Sequence, residues 1–286
     1  MKKIKTISLS ILILLAIYAA YLYLSDPYTK ALITNNETIL FYRPSTEVGD
    51  MTDFNFSENT LQVEDSITIH TYIFSPKTNP KANIFLVRGN SGNTSTYADL
   101  IKPLVNNGFK VYSTDWRGYG KSTGKPNYRG ILKDSEAAFT DFLKHVKNDS
   151  IKTVVYGMSL GGQVAVKLTK GNPDKVDALV LDGSLASAYS FIEDNFQGFL
   201  MRNFIKDSTA YNQDYVAIRD IADIKNIPKL IIHSTKDRAV PIERGQMIFA
   251  SAKEPKTFWE TNTQHIQTLK DLPDETNQQL STLLEQ

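Results

Sequence analysis

The stretch Thr153-Val-Val-Tyr-Gly157-Met-Ser159-Leu-Gly161-Gly162 constrains this chain more than any other. It sets a Gly-x-Ser-x-Gly pattern directly after a β-branched run and directly before Leu160–Lys170, which has helical periodicity. A serine on so sharp a strand-to-helix turn has a strained backbone, so its neighbours two positions away must be nearly free of side chain. Gly157 and Gly161 meet that need. The turn lifts the hydroxyl above the sheet, and the N–H of Leu160 falls at a helix start, where the dipole favours a developing oxyanion. The bare pattern also describes a glycine-rich turn with a surface serine; between a strand and a helix it predicts a nucleophile at Ser159.

A serine nucleophile needs a general base and an orienting acid, expected in the chain order Ser, Asp or Glu, His. There are four histidines. His70 precedes the nucleophile in a proposed hairpin, His145 ends a helix, and His233 sits inside a strand. His265 falls in the polar Thr261-Asn-Thr-Gln-His265 loop past the last strand, where an imidazole can swing over the serine. Asp237, in the loop after the His233 strand, is the expected acid, with Asp182 as the alternative. The second oxyanion donor belongs to the loop after the first buried strand, Arg88-Gly89-Asn90-Ser91-Gly92-Asn93. The N–H of Asn90 is the expected donor beside that of Leu160, with Ser91 as the alternative.

Around these motifs, short β-rich runs alternate with helical stretches, the pattern of an α/β fold with a mostly parallel sheet flanked by helices. Thr60–Val63 and Ser66–Phe74 alternate like an antiparallel hairpin, and Ala82–Val87 is a solid apolar run suited to a strand buried on both faces. Lys110–Trp116, Thr153–Tyr156, Ala178–Leu181, Lys229–His233 and Phe258–Thr261 continue the strand series. Helices are expected over Tyr97–Asn107, Ile131–Val146, Leu160–Lys170, Pro241–Ala252 and from His265 to the end. Residues 187–224 carry no strand signal but hold Phe191, Phe196, Phe199 and Phe204. They are expected to form a small helical cap, with Phe191, Phe196 and Phe199 lining a substrate pocket beside Arg88.

The first 25 residues are a different material. Lys2, Lys3 and Lys5 precede the uncharged stretch from Thr6 to Leu24. Nineteen residues at about 1.5 Å each span about 28 Å, close to the hydrocarbon thickness of a bilayer. Tyr18, Tyr21 and Tyr23 stand where an interfacial aromatic belt would be, and the lysines should remain cytoplasmic. The expectation is an N-terminal transmembrane helix over residues 1–25, a connector over 26–50, and a catalytic domain over 51–286 on the non-cytoplasmic side. A cleaved signal peptide, giving a secreted or periplasmic domain, is the alternative.

Composition narrows the chemistry. Thirty-two basic and 31 acidic residues nearly cancel, so nothing suggests a nucleic-acid partner. The absence of cysteine excludes disulfides, thiolate metal sites and a cysteine nucleophile. No cluster of metal ligands is visible, and no cofactor is expected.

Several segments, in order, resemble the α/β-hydrolase superfamily and, more narrowly, the Bem46-like group of membrane-associated serine hydrolases. They are Leu86–Asn93, Asp115–Pro126, Tyr156–Gly162, Leu179–Ser187, Ile227–Pro241 and Ala252–Lys256. The resemblance implies an α/β-hydrolase fold, Ser159 as nucleophile, Asp237 as acid, His265 as base, and Asn90 and Leu160 as oxyanion donors. Two positions depart from the group's pattern: Arg88-Gly89 and His233-Ser234 each stand where His-Gly is usual. Arg88 puts a fixed charge near the expected hole, favouring anionic substrates or perturbing the loop. The expected activity is hydrolysis of a carboxylic ester or thioester, acyl-lipid or medium-chain, through an acyl-enzyme. A hydrolase-fold binding protein without catalysis and a serine peptidase are the alternatives; a dehalogenase would need an aspartate in place of Ser159.

Overall fold

The structure, a computed structural model, describes residues 2–146, 151–198 and 201–286, the side chains of residues 2–8, 22 and 24 excepted. Its strands are β1 (Arg43–Pro44), β2 (Phe56–Glu64), β3 (Ile67–Phe74), β4 (Ala82–Val87), β5 (Ser91–Gly92), β6 (Phe109–Asp115), β7 (Thr153–Met158), β8 (Ala178–Asp182), β9 (Lys229–Ser234) and β10 (Lys256–Thr261). Eight of them form one sheet in the order β2-β3-β6-β4-β7-β8-β9-β10. The β2–β3 and β3–β6 pairs are antiparallel, and every pair from β6 to β10 is parallel.

Every residue of β4, β7, β8 and β9 is buried. Strands covered on both faces need side chains that fill space on either side, which accounts for their largely apolar composition. The edge strand β2 is instead polar and largely exposed.

The helices are α1 (Lys2–Ser25), α2 (Pro27–Thr34), α3 (Glu37–Phe41), α4 (Ala98–Asn106), α5 (Tyr128–His145), α6 (Leu160–Gly171), α7 (Ala188–Asn195), α8 (Ala217–Asp220), α9 (Ile242–Ser251), α10 (Thr268–Asp271) and α11 (Pro273–Leu284). Leu100, Ile101 and Leu104 of α4 join Leu280 and Leu283 of α11 in one core cluster, with Ile84, Val111 and Val180 of the sheet. A second cluster gathers Phe139 and Phe142 of α5, Val164 and Leu168 of α6 and Ile248 of α9, with Phe85, Val155 and Leu181 of the sheet. The two clusters cover opposite faces of the strands, because alternate strand residues point to opposite sides. The C-terminal helical stretch begins later than expected: His265 stays in a loop, and Pro273, which has no N–H to give, opens α11.

Residues 26–50, read from the sequence as a connector, are built into the domain. Asp26 caps α2, its carboxylate accepting from the N–H groups of Tyr28 and Thr29, and Asn36 caps α3. Ala31, Leu32, Leu40, Phe41 and Tyr42 are all buried in the cluster that includes α5 and α6. Helices of eight and five residues are too short to display a period, so the sequence pattern concealed them.

Every described side chain from Leu9 to Tyr21 in α1 is exposed. Residues 1–8, Leu22 and Leu24, on which the expected transmembrane helix also rests, lie outside the described side chains. Among the described residues no helix is long and apolar enough to cross a membrane.

Between β8 and β9, residues 187–224 form α7, α8 and three turns of 3-10 helix, Met201–Phe204, Ser208–Ala210 and Ile221–Asp223, with no strand among the described residues.

Candidate active site

Ser159 follows β7 and opens α6 with φ 52° and ψ −123°, a conformation L-residues rarely adopt. Its N–H donates to the carbonyl of Asp182 at 2.9 Å, and its own carbonyl accepts from Gly162 at 3.0 Å. The flanking glycines are sterically required. A Cβ on Gly157 would stand 2.5 Å from the Ala165 Cβ, and one on Gly161 would stand 2.2 Å from the carbonyl oxygens of Val87 and Arg88. The serine is thus wedged between β7, β8 and the end of β4, with only 6% of its surface exposed.

Two loops bring side chains to it. Nε2 of His265 lies 3.0 Å from the Ser159 Oγ, and Nδ1 lies 2.6 Å from Oδ2 of Asp237. The other oxygen of Asp237 accepts the N–H groups of Ala239 and Val240, each at 2.9 Å, so the carboxylate is held by its own loop. Burial pushes this carboxyl up, but the hydrogen bond and charge of His265 and the Val240 N–H together hold it below the ordinary carboxylate value. His233 is driven toward its neutral form by burial; its Nε2 donates to the Val240 carbonyl at 2.9 Å, supporting the acid loop from beneath.

Asp182, the alternative acid, points elsewhere: its carboxyl accepts from the Tyr156 hydroxyl at 3.1 Å, and burial pushes it up to about 7. Ser234, one of the two departures from the family pattern, ties the loops together. Its hydroxyl donates to the Thr263 carbonyl at 2.5 Å and accepts from the Lys236 N–H at 3.0 Å. Next to His265, Ile266 has φ 53°, a second strained residue at the site. Gly183 makes room for the imidazole, since a Cβ there would sit 3.1 Å from two of its ring atoms.

The loop after β4 closes the other side. Gly89 lies against the serine, a Cβ on it standing 3.3 Å from the Ser159 Cβ. Asn90 is gripped from the N-terminal segment: its Nδ2 donates to the Phe41 carbonyl at 2.6 Å, and its carbonyl accepts the Arg43 N–H at 2.9 Å. The Tyr119 hydroxyl donates to the same carbonyl at 2.7 Å. Ser91 stands exposed one residue on, in β5, where β1 pairs alongside it in parallel. The N–H of Leu160 is one of the donors that a helix N-terminus leaves without an intrahelical partner.

Arg88 corrects the sequence reading. Its guanidinium turns into the protein, 1% exposed, and sits 4.4 Å from the Tyr119 ring centroid and 5.0 Å from that of Trp116. A cation so enclosed lines no substrate pocket; two aromatic rings from a distant loop drew it inward. Phe191 and Phe196 are half-buried and pack on the core, the Phe191 ring 5.8 Å from that of Phe41. Phe199 lies outside the described residues. Two polar cavities border the insertion. One, of about 470 Å³, is lined by Tyr189, Glu193, Asp194, Arg202 and Arg244. The other, of about 500 Å³, is lined by Glu37, Tyr128, Arg129, Tyr211 and Asp214. Neither touches Ser159 or His265. Among the described residues no group of three His, Asp or Glu is placed to hold a metal ion.

Sequence reasoning missed Tyr119, Gly183 and the Phe41–Pro44 strap. Tyr119 and Gly183 left a trace, in the Asp115–Pro126 and Leu179–Ser187 segments; the strap left none.

Residues 78–206 match the family model described as serine aminopeptidase, S33. Protein bem46 of Schizosaccharomyces pombe is 32% identical over 196 residues, covering 66% of this chain and 63% of its own. The uncharacterized protein YfhR of Escherichia coli K12 is 26% identical over 221 residues, covering 76% and 75%. Among solved structures, the Pyrococcus furiosus esterase Pf2001 superposes with a TM-score of 0.67 at 19% identity, over 86% of this chain and 97% of that one.

Proposed function

The chain belongs to the α/β-hydrolase superfamily, in its Bem46-like group, and from that premise we propose that it is a serine hydrolase acting on carboxylic esters or thioesters. The observation that carries this reading is the unbroken line of contacts from Ser159 Oγ through His265 to Asp237, at 3.0 and 2.6 Å. A hydroxyl on a strained turn, a base within reach and a buried carboxylate behind it are the parts that nucleophilic catalysis requires.

In the proposed cycle, His265 Nε2 takes the Ser159 proton as Oγ bonds to the carbonyl carbon. Asp237 stabilises the imidazolium through Nδ1–H, and the N–H groups of Asn90 and Leu160 receive the oxyanion. Collapse breaks the bond to the alcohol or thiol, which leaves with the proton from His265. Water then repeats the sequence and frees the acid and the serine.

Acyl-lipid or medium-chain esters are the proposed substrates, with residues 187–224 as a cap and α1 as a membrane attachment. The support for attachment is the exposed apolar surface of α1, including Leu9 at 59%, Leu14 at 65% and Tyr21 at 63%, which is costly in water and favourable in lipid. The lysines before it support a hydrolase domain on the non-cytoplasmic side.

Peptide hydrolysis is the second reading, favoured by the family model's description. Against it, Asp194 and Glu193 of the insertion are paired with Arg244 at 2.6 and 3.7 Å and so are not free to hold a substrate amine.

The test is fluorophosphonate labelling of the full chain beside Ser159→Ala, followed by an ester chain-length series and aminoacyl amides. Labelling that vanishes in the variant supports the hydrolase; a folded wild-type protein that resists labelling refutes it and leaves a binding protein on a hydrolase scaffold.

A further inference from the structure

A peptide unit is planar, so a hydrogen bond to its carbonyl fixes the direction of its N–H. The N–H of Asn90, the proposed oxyanion donor, shares its peptide unit with the carbonyl of Gly89. That carbonyl accepts from Nη1 of Arg88 at 3.3 Å. Resting on the serine-hydrolase reading, we propose that Arg88 is a positioning residue of the oxyanion hole, aiming and polarising the Gly89–Asn90 peptide from inside the protein.

The guanidinium is itself immobilised. Its Nε donates to the Thr114 carbonyl at 3.2 Å and lies 3.6 Å from the Asp115 carboxylate. Tyr119 acts on both sides of the donor: its ring lies under the guanidinium, and its hydroxyl holds the carbonyl of Asn90. Asp115 accepts from the Thr94 N–H at 2.6 Å and the Thr94 hydroxyl at 2.8 Å, so the Arg88–Asp115 pair grips both ends of the 88–94 loop.

Charge adds to geometry. A cationic donor on a carbonyl draws electron density from the peptide, which strengthens the N–H at its other end, and in a dry interior that polarisation is weakly screened. Burying a guanidinium is costly, and here Nη2 has no hydrogen-bond partner. The guanidinium, paired with Asp115 on its Nε side, thus keeps its Nη1 edge for the Gly89–Asn90 peptide.

The test compares full-length wild type with Arg88→Met, Arg88→Lys and Tyr119→Phe. It measures turnover of a p-nitrophenyl ester, inhibition by phenylboronic acid, which forms a tetrahedral adduct on the serine, and circular-dichroism melting. In Arg88→Met, kcat should fall about 10- to 100-fold, below the loss from deleting a donor outright, with KM nearly unchanged. The boronate inhibition constant should weaken by a similar factor. Arg88→Lys should recover part of both at wild-type Tm, and it carries the test if the methionine variant does not fold. Tyr119→Phe should move kcat and the boronate constant in the same direction, by less.

Unchanged kcat and boronate affinity in a folded Arg88 variant overturn the inference while leaving the hydrolase reading intact, as does a rise in KM alone. A wild-type protein that neither turns over ester nor reacts with fluorophosphonate removes the hydrolase reading, and this inference with it.

Discussion

Ser159 holds a backbone conformation, φ 52° and ψ −123°, that an L-residue enters at a cost of about 1–3 kcal/mol. Glycine enters it freely but loses about 0.5–1 kcal/mol more backbone entropy on folding. Ser159→Ala and Ser159→Gly both delete the hydroxyl and its 3.0 Å contact with His265, so that contact cancels between them. What remains is strain relieved less entropy lost, and Ser159→Gly should be more stable than Ser159→Ala by about 1 kcal/mol. In a protein of this size that is a Tm difference of about 2–4 °C. Neither variant has the proposed nucleophile, so stability alone is read, by urea unfolding followed by circular dichroism. The ordinary ordering, alanine above glycine by about 1 kcal/mol, would mean that the turn stores no strain, and the argument from its glycine neighbours would fail.

Asp237→Asn should lower kcat about 10³- to 10⁴-fold with little change in KM, because the imidazolium loses its counter-charge and its tautomer control. Since Asp237 is held below the ordinary value of 3.8, it contributes stability above that pH and loses it as pH falls through the lower folded value. Unfolding titrations should show this acid-side loss in wild type and not in Asp237→Asn. Asp182 carries the opposite sign: with its carboxyl raised from 3.8 to about 7, the folded state binds more protons across that interval, so its contribution falls as pH rises from 4 to 7. Asp182→Asn should therefore gain stability over wild type at pH 8 and not at pH 4; equal gains at both would sink the assignment. Deleting residues 1–25 should leave fluorophosphonate labelling intact, whereas deleting 1–47 should abolish it, because Phe41 and Arg43 grip Asn90 and Leu32, Leu40 and Phe41 are core residues. Labelling that survives the longer deletion would refute the role given to the strap.

The buried parallel strands were legible because a strand covered on both faces must be mostly apolar, as Ala82–Val87 is apart from Asn83. Ser159, Asp237 and His265 could be singled out from chain order and strand-end placement, and the fold brings them within hydrogen-bonding distance. Arg88 shows where such reading stops. Its charge and its neighbourhood were visible, but its direction depends on Trp116 and Tyr119, which reach it only after β6 has paired with β4. Residues 26–47 were opaque for another reason: their order comes from contacts far along the chain, such as Asn35 Nδ2 on the Ala210 carbonyl at 2.7 Å, and no local period announces those.

One residue, Asp26, separates the end of α1 from the start of α2, and the chain is already buried at Thr29. With α1 embedded as proposed, the hydrolase would ride the bilayer on a leash of a few residues, at most about 15 Å when drawn straight. An enzyme so moored sweeps no volume. It works a shell one domain deep above the lipid, where the effective concentration of surface-held molecules is high and fixed by geometry. Its choice of substrate would then be made partly by altitude, before any pocket is consulted.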